Sequence, residues 1–190
     1  MLHLVLDHSA FVPCGDKPQE EKEAIKKLGE PLPELDAVWY TSARHLKVLQ
    51  SIFSRDLKHH HPLPKLQASL MRTLNLLINI SKTKKRCKPI EVAGAKLQIH
   101  VVAKEALKHV EELQTSAEAP ISEEDREVLA LAITATRYAG GHAVYLVSTD
   151  RPLLQAAEAL MRPAGRLGVE SPPSVKALTP SQLLKEVPKP

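Results

Sequence analysis

This 190-residue chain predicts an α/β fold built on a mostly parallel sheet, and three features predict it. First, short apolar runs of strand length recur along it: "LHLVL", "AVWY" and "VYLV". Runs that are apolar at nearly every position belong to strands buried on both faces, as parallel sheets are. Second, amphipathic stretches of helical period alternate with these runs, and crossovers of that kind keep successive strands parallel. Third, two of the runs end in an aspartate, Asp7 after Leu6 and Asp150 shortly after Val147. Open parallel sheets bind their ligands at the carboxyl ends of the strands, so a charge has a use there.

The elements follow in order. Leu2 to Leu6 is apolar apart from His3 and reads as a buried strand. "KPQEEKEAIKKLG" is a short helix that Gly29 stops. "PLPELDAVWY" leads into a second strand around residues 37–40. "TSARHLKVLQSIFSRDL" opens on a Thr/Ser cap and sets Ala43, Leu46, Val48 or Leu49, and Phe53 at helical spacing, before "KHHHPLP" breaks it. "KLQASLMRTLNLLINISKTKKR" is a further helix, apolar at Leu66, Leu70, Leu74, Leu77 and Ile78, ending in a basic cluster. "KPIEVAGAKLQIHVV" reads as two short strands about Gly94. "AKEALKHVEELQ" is helical. "ISEEDREVLALAITATRYAGG" is a strong helix with Ser122 as cap, acids in its first turn and Gly140-Gly141 as its stop. "HAVYLVSTD" is a strand, and "RPLLQAAEALMRPAG" a helix with Pro152 in its first turn. "VKALTPSQLLKEV" closes with a strand and a helix capped by Thr179 or Ser181.

Composition bounds the class. A hydrophobic share of 43% with 25% charged residues is ordinary for a globular protein. No run approaches the roughly 18–20 apolar residues of a membrane span, and "MLHLVLD" carries no signal-peptide pattern. Cys14 and Cys87 stand far apart, with neither metal spacing nor a disulfide framework. The expectation is a cytoplasmic protein without a membrane partner.

The net charge of +4 conceals a segregation. From Arg44 to Lys88 the bases are Arg44, Lys47, Arg55, Lys58, Lys65, Arg72, Lys82, Lys84, Lys85, Arg86 and Lys88, and the one acid among them is Asp56. Residues 105–127 are acid-rich instead. The pattern reads as a polyanion-binding face beside an acidic centre, against the plainer reading of a solvated helix face.

Asp125 joins the two strand-end aspartates. It sits in the first turn of its helix and shares a face with Leu129 and Ala132, so it points toward the sheet edge. Glu124 and Glu127 flank it. Converging carboxylates repel one another, and a hard divalent cation, Mg²⁺ or Mn²⁺, offsets that charge through oxygen ligands. The plainer alternative makes each acid a helix cap, Asp150 before Arg-Pro-Leu above all.

The ordered set "LVLDHSAF", "ISEEDREVLALAI", "VYLVSTDRPLLQAA" and "VKALTPSQLLKEV" resembles the PIN-domain nuclease family. The resemblance covers the start of the chain and most of it after Pro120. It implies a PIN-like fold, three α/β/α layers with a mostly parallel central sheet, and metal-dependent cleavage of RNA. Carried over, it implies metal-binding and catalytic roles for Asp7, Asp125 and Asp150, with Glu124 as a further metal ligand. Ser9 and Thr149 would support the site through their hydroxyls. The family usually has a glutamate in the helix after the second strand; the matching "YTSARHLKVL" has His45 there. Either another acid substitutes (Glu124, Glu127, Glu105 or Glu111), or the site is weakened.

Residues 41–102 then form a basic helical and hairpin insertion within a single domain spanning 1–190. Arg44, Lys47, Arg72, Lys82, Lys84, Lys85, Arg86 and Lys88 suit phosphate contacts. With Phe53 the sole aromatic in the basic run, single-strand stacking readout is disfavoured and a structured RNA such as a tRNA or rRNA precursor fits better. The arrangement also resembles the small protein-only RNase P family, which trims tRNA precursors and forms homo-oligomers. His59-His60-His61 reads as an exposed polar loop rather than a metal site, and Trp39 and Tyr40 as core.

The leading expectation is a metal-dependent endoribonuclease. The rival is a catalytically silent PIN-fold RNA-binding or scaffold protein in RNA processing, and a third reading is the toxin of a toxin–antitoxin pair.

Overall fold

The structure, a computed structural model, describes residues 1–11, 17–29, 37–42, 44, 45, 47, 48, 51, 90, 91, 98–101, 103–116, 121–161 and 175–186. In chain order the elements are β1 (Leu2–Leu6), α1 (His8–Phe11), α2 (Pro18–Gly29), β2 (Ala37–Thr41), β3 (Ile90–Glu91) and β4 (Gln98–Val101). They continue as α3 (Ala103–Ser116), α4 (Glu123–Ala135), β5 (Val144–Val147), α5 (Arg151–Met161), β6 (Val175–Leu178) and α6 (Pro180–Glu186).

The strands form one sheet in the order β3-β4-β2-β1-β5-β6. All neighbours are parallel except β3 and β4, which pair antiparallel with Ile90 opposite Ile99. This is the α/β fold that the alternating pattern predicts. The most apolar runs take the middle: in β1, Leu4 and Val5 are fully buried, and both neighbours are parallel strands. The chain leaves β1 in one direction through β2 and β4, then returns to the other side of β1 as β5 and continues to β6. Connections that depart in opposite directions open a crevice at the strands' carboxyl ends, here between β1 and β5.

Helices cover both sides of the sheet, because right-handed crossovers running in opposite directions place their helices on opposite faces. α4 packs against β1, β2 and β5 and against α3; α5 meets α4 and β6. On the other side α2 packs on α6, and α6 touches β5 and β6. α4 forms where it does because Ser122 and Asp125 close a capping box: Asp125 N–H donates to the Ser122 hydroxyl and Ser122 N–H to the Asp125 carboxylate. Its inward face then buries Val128, Leu129, Leu131 and Ala132.

α4 ends at Ala135, five residues before the expected stop at Gly140. Thr136 Oγ1 donates to the Ile133 carbonyl at 2.7 Å, a local bond that competes with the helix ladder. The chain then runs through turns to Gly140 (φ 59°) and Gly141 (φ 86°), left-handed conformations that glycine adopts without steric cost. The α6 cap resolves to Thr179, whose hydroxyl accepts from Gln182 N–H while the Gln182 side chain accepts from Thr179 N–H. Ser181 instead gives both its N–H and its hydroxyl to the Glu21 carboxylate of α2, at 2.8 and 2.7 Å, clipping α6 onto α2.

Trp39 and Tyr40 are core, as expected, and burial pushes the Tyr40 phenol up to about 12. The helix expected over 41–57 is seen at Arg44, His45, Lys47, Val48 and Ser51, all helical. The helix expected over 65–86, the triple histidine and both cysteines lie outside the described residues. Among the described residues no helix is long and apolar enough to cross a membrane.

Candidate functional site

The carboxyl ends of β1 and β5 are joined through one carboxylate. Asp7 N–H donates to the Val147 carbonyl at 2.9 Å, continuing the β1–β5 ladder one residue past the strand. The Asp7 side chain is fully buried. Its Oδ2 accepts from Ser9 N–H (3.2 Å), the Ser9 hydroxyl (2.6 Å) and the Ser148 hydroxyl (3.0 Å). Ser9 Oγ accepts from Thr149 N–H at 2.9 Å, and Thr149 Oγ1 donates to the Ser9 carbonyl at 3.0 Å. Ser148 Oγ accepts from Asp150 N–H at 2.9 Å. The turns after β1 and β5 are thus one hydrogen-bonded unit with Asp7 at its centre.

The other oxygen differs. Oδ1 of Asp7 is buried with no hydrogen-bond donor on it. His8 Nδ1 lies 2.9 Å away and forms an ion pair with it when the imidazole is protonated. Burial works to raise the Asp7 pKa, but His8, Ser9 and the more distant His45 outweigh it and hold the carboxyl well below the usual range. The same contact with Asp7 raises His8 against the burial that lowers it, helped by the charges of Glu124 and Asp125.

Asp150 is half-buried at the start of α5. Its Oδ1 accepts a long bond of 3.5 Å from Leu153 N–H. Burial, then the charges of Asp125 and Asp7, push its pKa up. Asp125 is buried, but its Oδ2 turns back to its own cap and accepts from the Ser122 hydroxyl at 2.6 Å. Glu124 is exposed. The three aspartates therefore share one sheet edge and sense one another's charge. Among the described residues, however, no three His, Cys, Asp or Glu side chains stand close enough to hold one metal ion. Like charges repel, and each acid has found its own donors: Asp125 at Ser122, Asp150 at the α5 backbone.

His45 sits where the resemblance leads one to expect an acid. It is buried, and its Nε2–H donates to the Leu6 carbonyl at 2.8 Å. Burial lowers its pKa. Its N–H donates to the Ser42 hydroxyl at 3.0 Å, and that hydroxyl donates to Glu127 Oε1. Glu127 is buried too, with Arg44 Nε 3.2 Å from Oε2. Arg44 also reaches Glu123, its Nη1 donating to Oε1 at 2.6 Å. Arg44, read from the sequence as a phosphate contact, is thus bound to the first turns of α4. Lys47 is exposed. Arg72, Lys82, Lys84, Lys85, Arg86 and Lys88 lie outside the described residues.

Ser148, His8 and Ser42 are parts of this edge that the sequence did not single out. Ser148 had a signal: two hydroxyl residues precede Asp150, and the first of a strand-end pair is the one able to turn back toward a neighbouring loop. A lone serine before a helix, such as Ser42, reads only as a cap.

The donor set fits a hard cation: carboxylate and hydroxyl oxygens, with a buried oxygen on Asp7 that faces only the His8 imidazole. Mg²⁺ usually takes one or two carboxylates and keeps several waters, so three carboxylates in direct contact are not required of the site. No family model, characterised protein or solved structure matches this chain.

Proposed function

We propose that the chain is a metal-dependent endoribonuclease of the PIN type: a single three-layer α/β/α domain with a basic insertion over 41–102, acting on structured RNA in the cytoplasm. The observation that carries the reading is Asp7. It is a buried carboxylate at the sheet's crevice, one oxygen fixed by three donors and the other facing only the His8 imidazole at 2.9 Å. Mg²⁺ or Mn²⁺ would be held by Asp7 and Asp150, with Asp125 and Glu124 engaging its waters. Such an ion, when bound, activates a water and stabilises the charge that develops on a phosphodiester. Ser9, Ser148 and Thr149 keep Asp7 from swinging away. Asp150, raised in pKa by burial and then by its acidic neighbours, is partly relieved when positive charge enters between them. The lysines and arginines of 44–88 would hold the RNA backbone without reading its sequence.

The test is cleavage of labelled structured RNAs, tRNA precursors included, in Mn²⁺, Mg²⁺ or EDTA, beside Asp150→Asn. Metal-dependent cutting that the variant loses is the expected result. A second reading, a silent RNA-binding scaffold, is favoured by Asp125 turning to Ser122 and by a histidine in place of the usual acid. It predicts tight RNA binding with no cutting, equal in both proteins.

A further inference from the structure

We infer that His45 is a positioning residue for Asp7, a strut that fixes the Leu6–Asp7 peptide, and that Glu127 acts on the site only through it. The inference rests on the metal-centred reading above. β1 pairs with β2 only from Leu2 to Leu4, opposite Ala37 to Trp39, so the Leu6 carbonyl lies past the paired register. The His45 side chain supplies the donor that the neighbouring strand does not, at 2.8 Å. The other end of that peptide, Asp7 N–H, is held by the Val147 carbonyl at 2.9 Å. With both ends bonded the peptide plane cannot rotate, and the direction in which the Asp7 side chain leaves the backbone is set.

The strut is anchored in turn. Ser42 accepts from His45 N–H, and its one hydroxyl proton goes to Glu127, at 2.5 Å. Arg44 takes the other Glu127 oxygen. His45, Ser42 and Glu127 are 4%, 1% and 2% exposed, so the relay is almost dry from end to end. Both Glu127 oxygens are occupied within it, which leaves that acid engaged behind the strut rather than standing in for the missing glutamate as a ligand. Groups that orient a metal-binding side chain typically change metal affinity by about 10–100-fold when removed.

Manganese binding by the full-length protein, followed by the loss of the free-ion electron paramagnetic resonance signal, reads this without any RNA. Against the wild type, His45→Leu should weaken Mn²⁺ binding at least about tenfold. His45→Gln, whose amide N–H replaces Nε2–H, should keep most of the affinity. His45→Asn, too short to reach the Leu6 carbonyl, should behave like the leucine variant; it keeps the test in force if His45→Leu does not fold. Glu127→Gln should weaken binding as well. Equal affinity in all variants, or parallel loss in His45→Gln and His45→Asn, would overturn the positioning role while leaving the metal site standing. A wild type that binds no Mn²⁺ overturns the metal-centred reading, and this inference with it.

Discussion

Asp7 and Asp150 lie at the same edge, yet their environments push them in opposite directions, and their pH behaviour follows. Asp7 is depressed below its unfolded value of 3.8. Its ionised form therefore stabilises the fold above that value, and the contribution is lost as pH falls through the lower folded pKa. Asp7→Asn, which keeps the shape but not the charge-assisted bonds, should cost about 1.5–3 kcal/mol at neutral pH in EDTA, a deficit in urea unfolding that narrows only below pH 3.8. Asp150 is raised above 3.8. Its ionisation opposes folding, a cost that appears as pH rises through 3.8 and is complete above the folded value. Asp150→Asn, still a good helix cap, should raise the melting temperature in EDTA at neutral pH, and the gain should vanish in acid. A lower melting temperature at pH 7 would refute that assignment. The edge position of both aspartates was legible in the sequence because each follows a buried apolar strand, Asp7 directly and Asp150 after Ser148 and Thr149. Asp125 was legible twice over: Ser-x-x-Asp describes a cap and a site acid equally, and only the Ser122 hydroxyl at 2.6 Å shows how the side chain is engaged.

Helix α4 carries the core. Leu129 is fully buried where the helix crosses β1, β2 and β5, so Leu129→Ala should cost about 2–5 kcal/mol of unfolding free energy. The clip between α2 and α6 is a smaller device. Glu21→Ala removes the acceptor of both Ser181 bonds and should cost about 1.5–3 kcal/mol. Hydrogen exchange should then quicken in α6 before it does in the central strands. No change in α6 protection would mean the apolar contact of Leu183 holds the helix unaided. Elements of this kind were readable from local signals, because capping boxes, glycine stops and apolar periodicity act within a few residues. The early end of α4 at Thr136 and the choice of Thr179 over Ser181 were not. The first turns on which hydroxyl bends back to a carbonyl of its own helix, the second on Ser181 meeting Glu21 from a distant element.

At the scale of the whole molecule, fold class was legible and strand order was not. Alternation of strand and helix implies parallel pairing, but nothing local says that β5 returns beside β1. The segregation of charge makes its own prediction. RNA binding should weaken steeply with salt, and replacing Lys84 or Lys85 by Ala should lower the log–log salt slope by about 1 for each phosphate left without its cation. A salt-independent affinity would remove the phosphate grip. The bond from Ser148 to Asp7 spans 141 positions of sequence, and this governs when the site can exist during synthesis. A nascent chain carries Asp7 long before it has a donor from Ser148, a ladder partner at Val147 or Asp150 itself, so this edge cannot assemble until synthesis has passed residue 150. The activity proposed for this edge would have to wait for the same event. On the proposed reading, the basic run of 44–88 is made well before Ser148 and Asp150, so the step expected first in a growing chain is binding and not cutting.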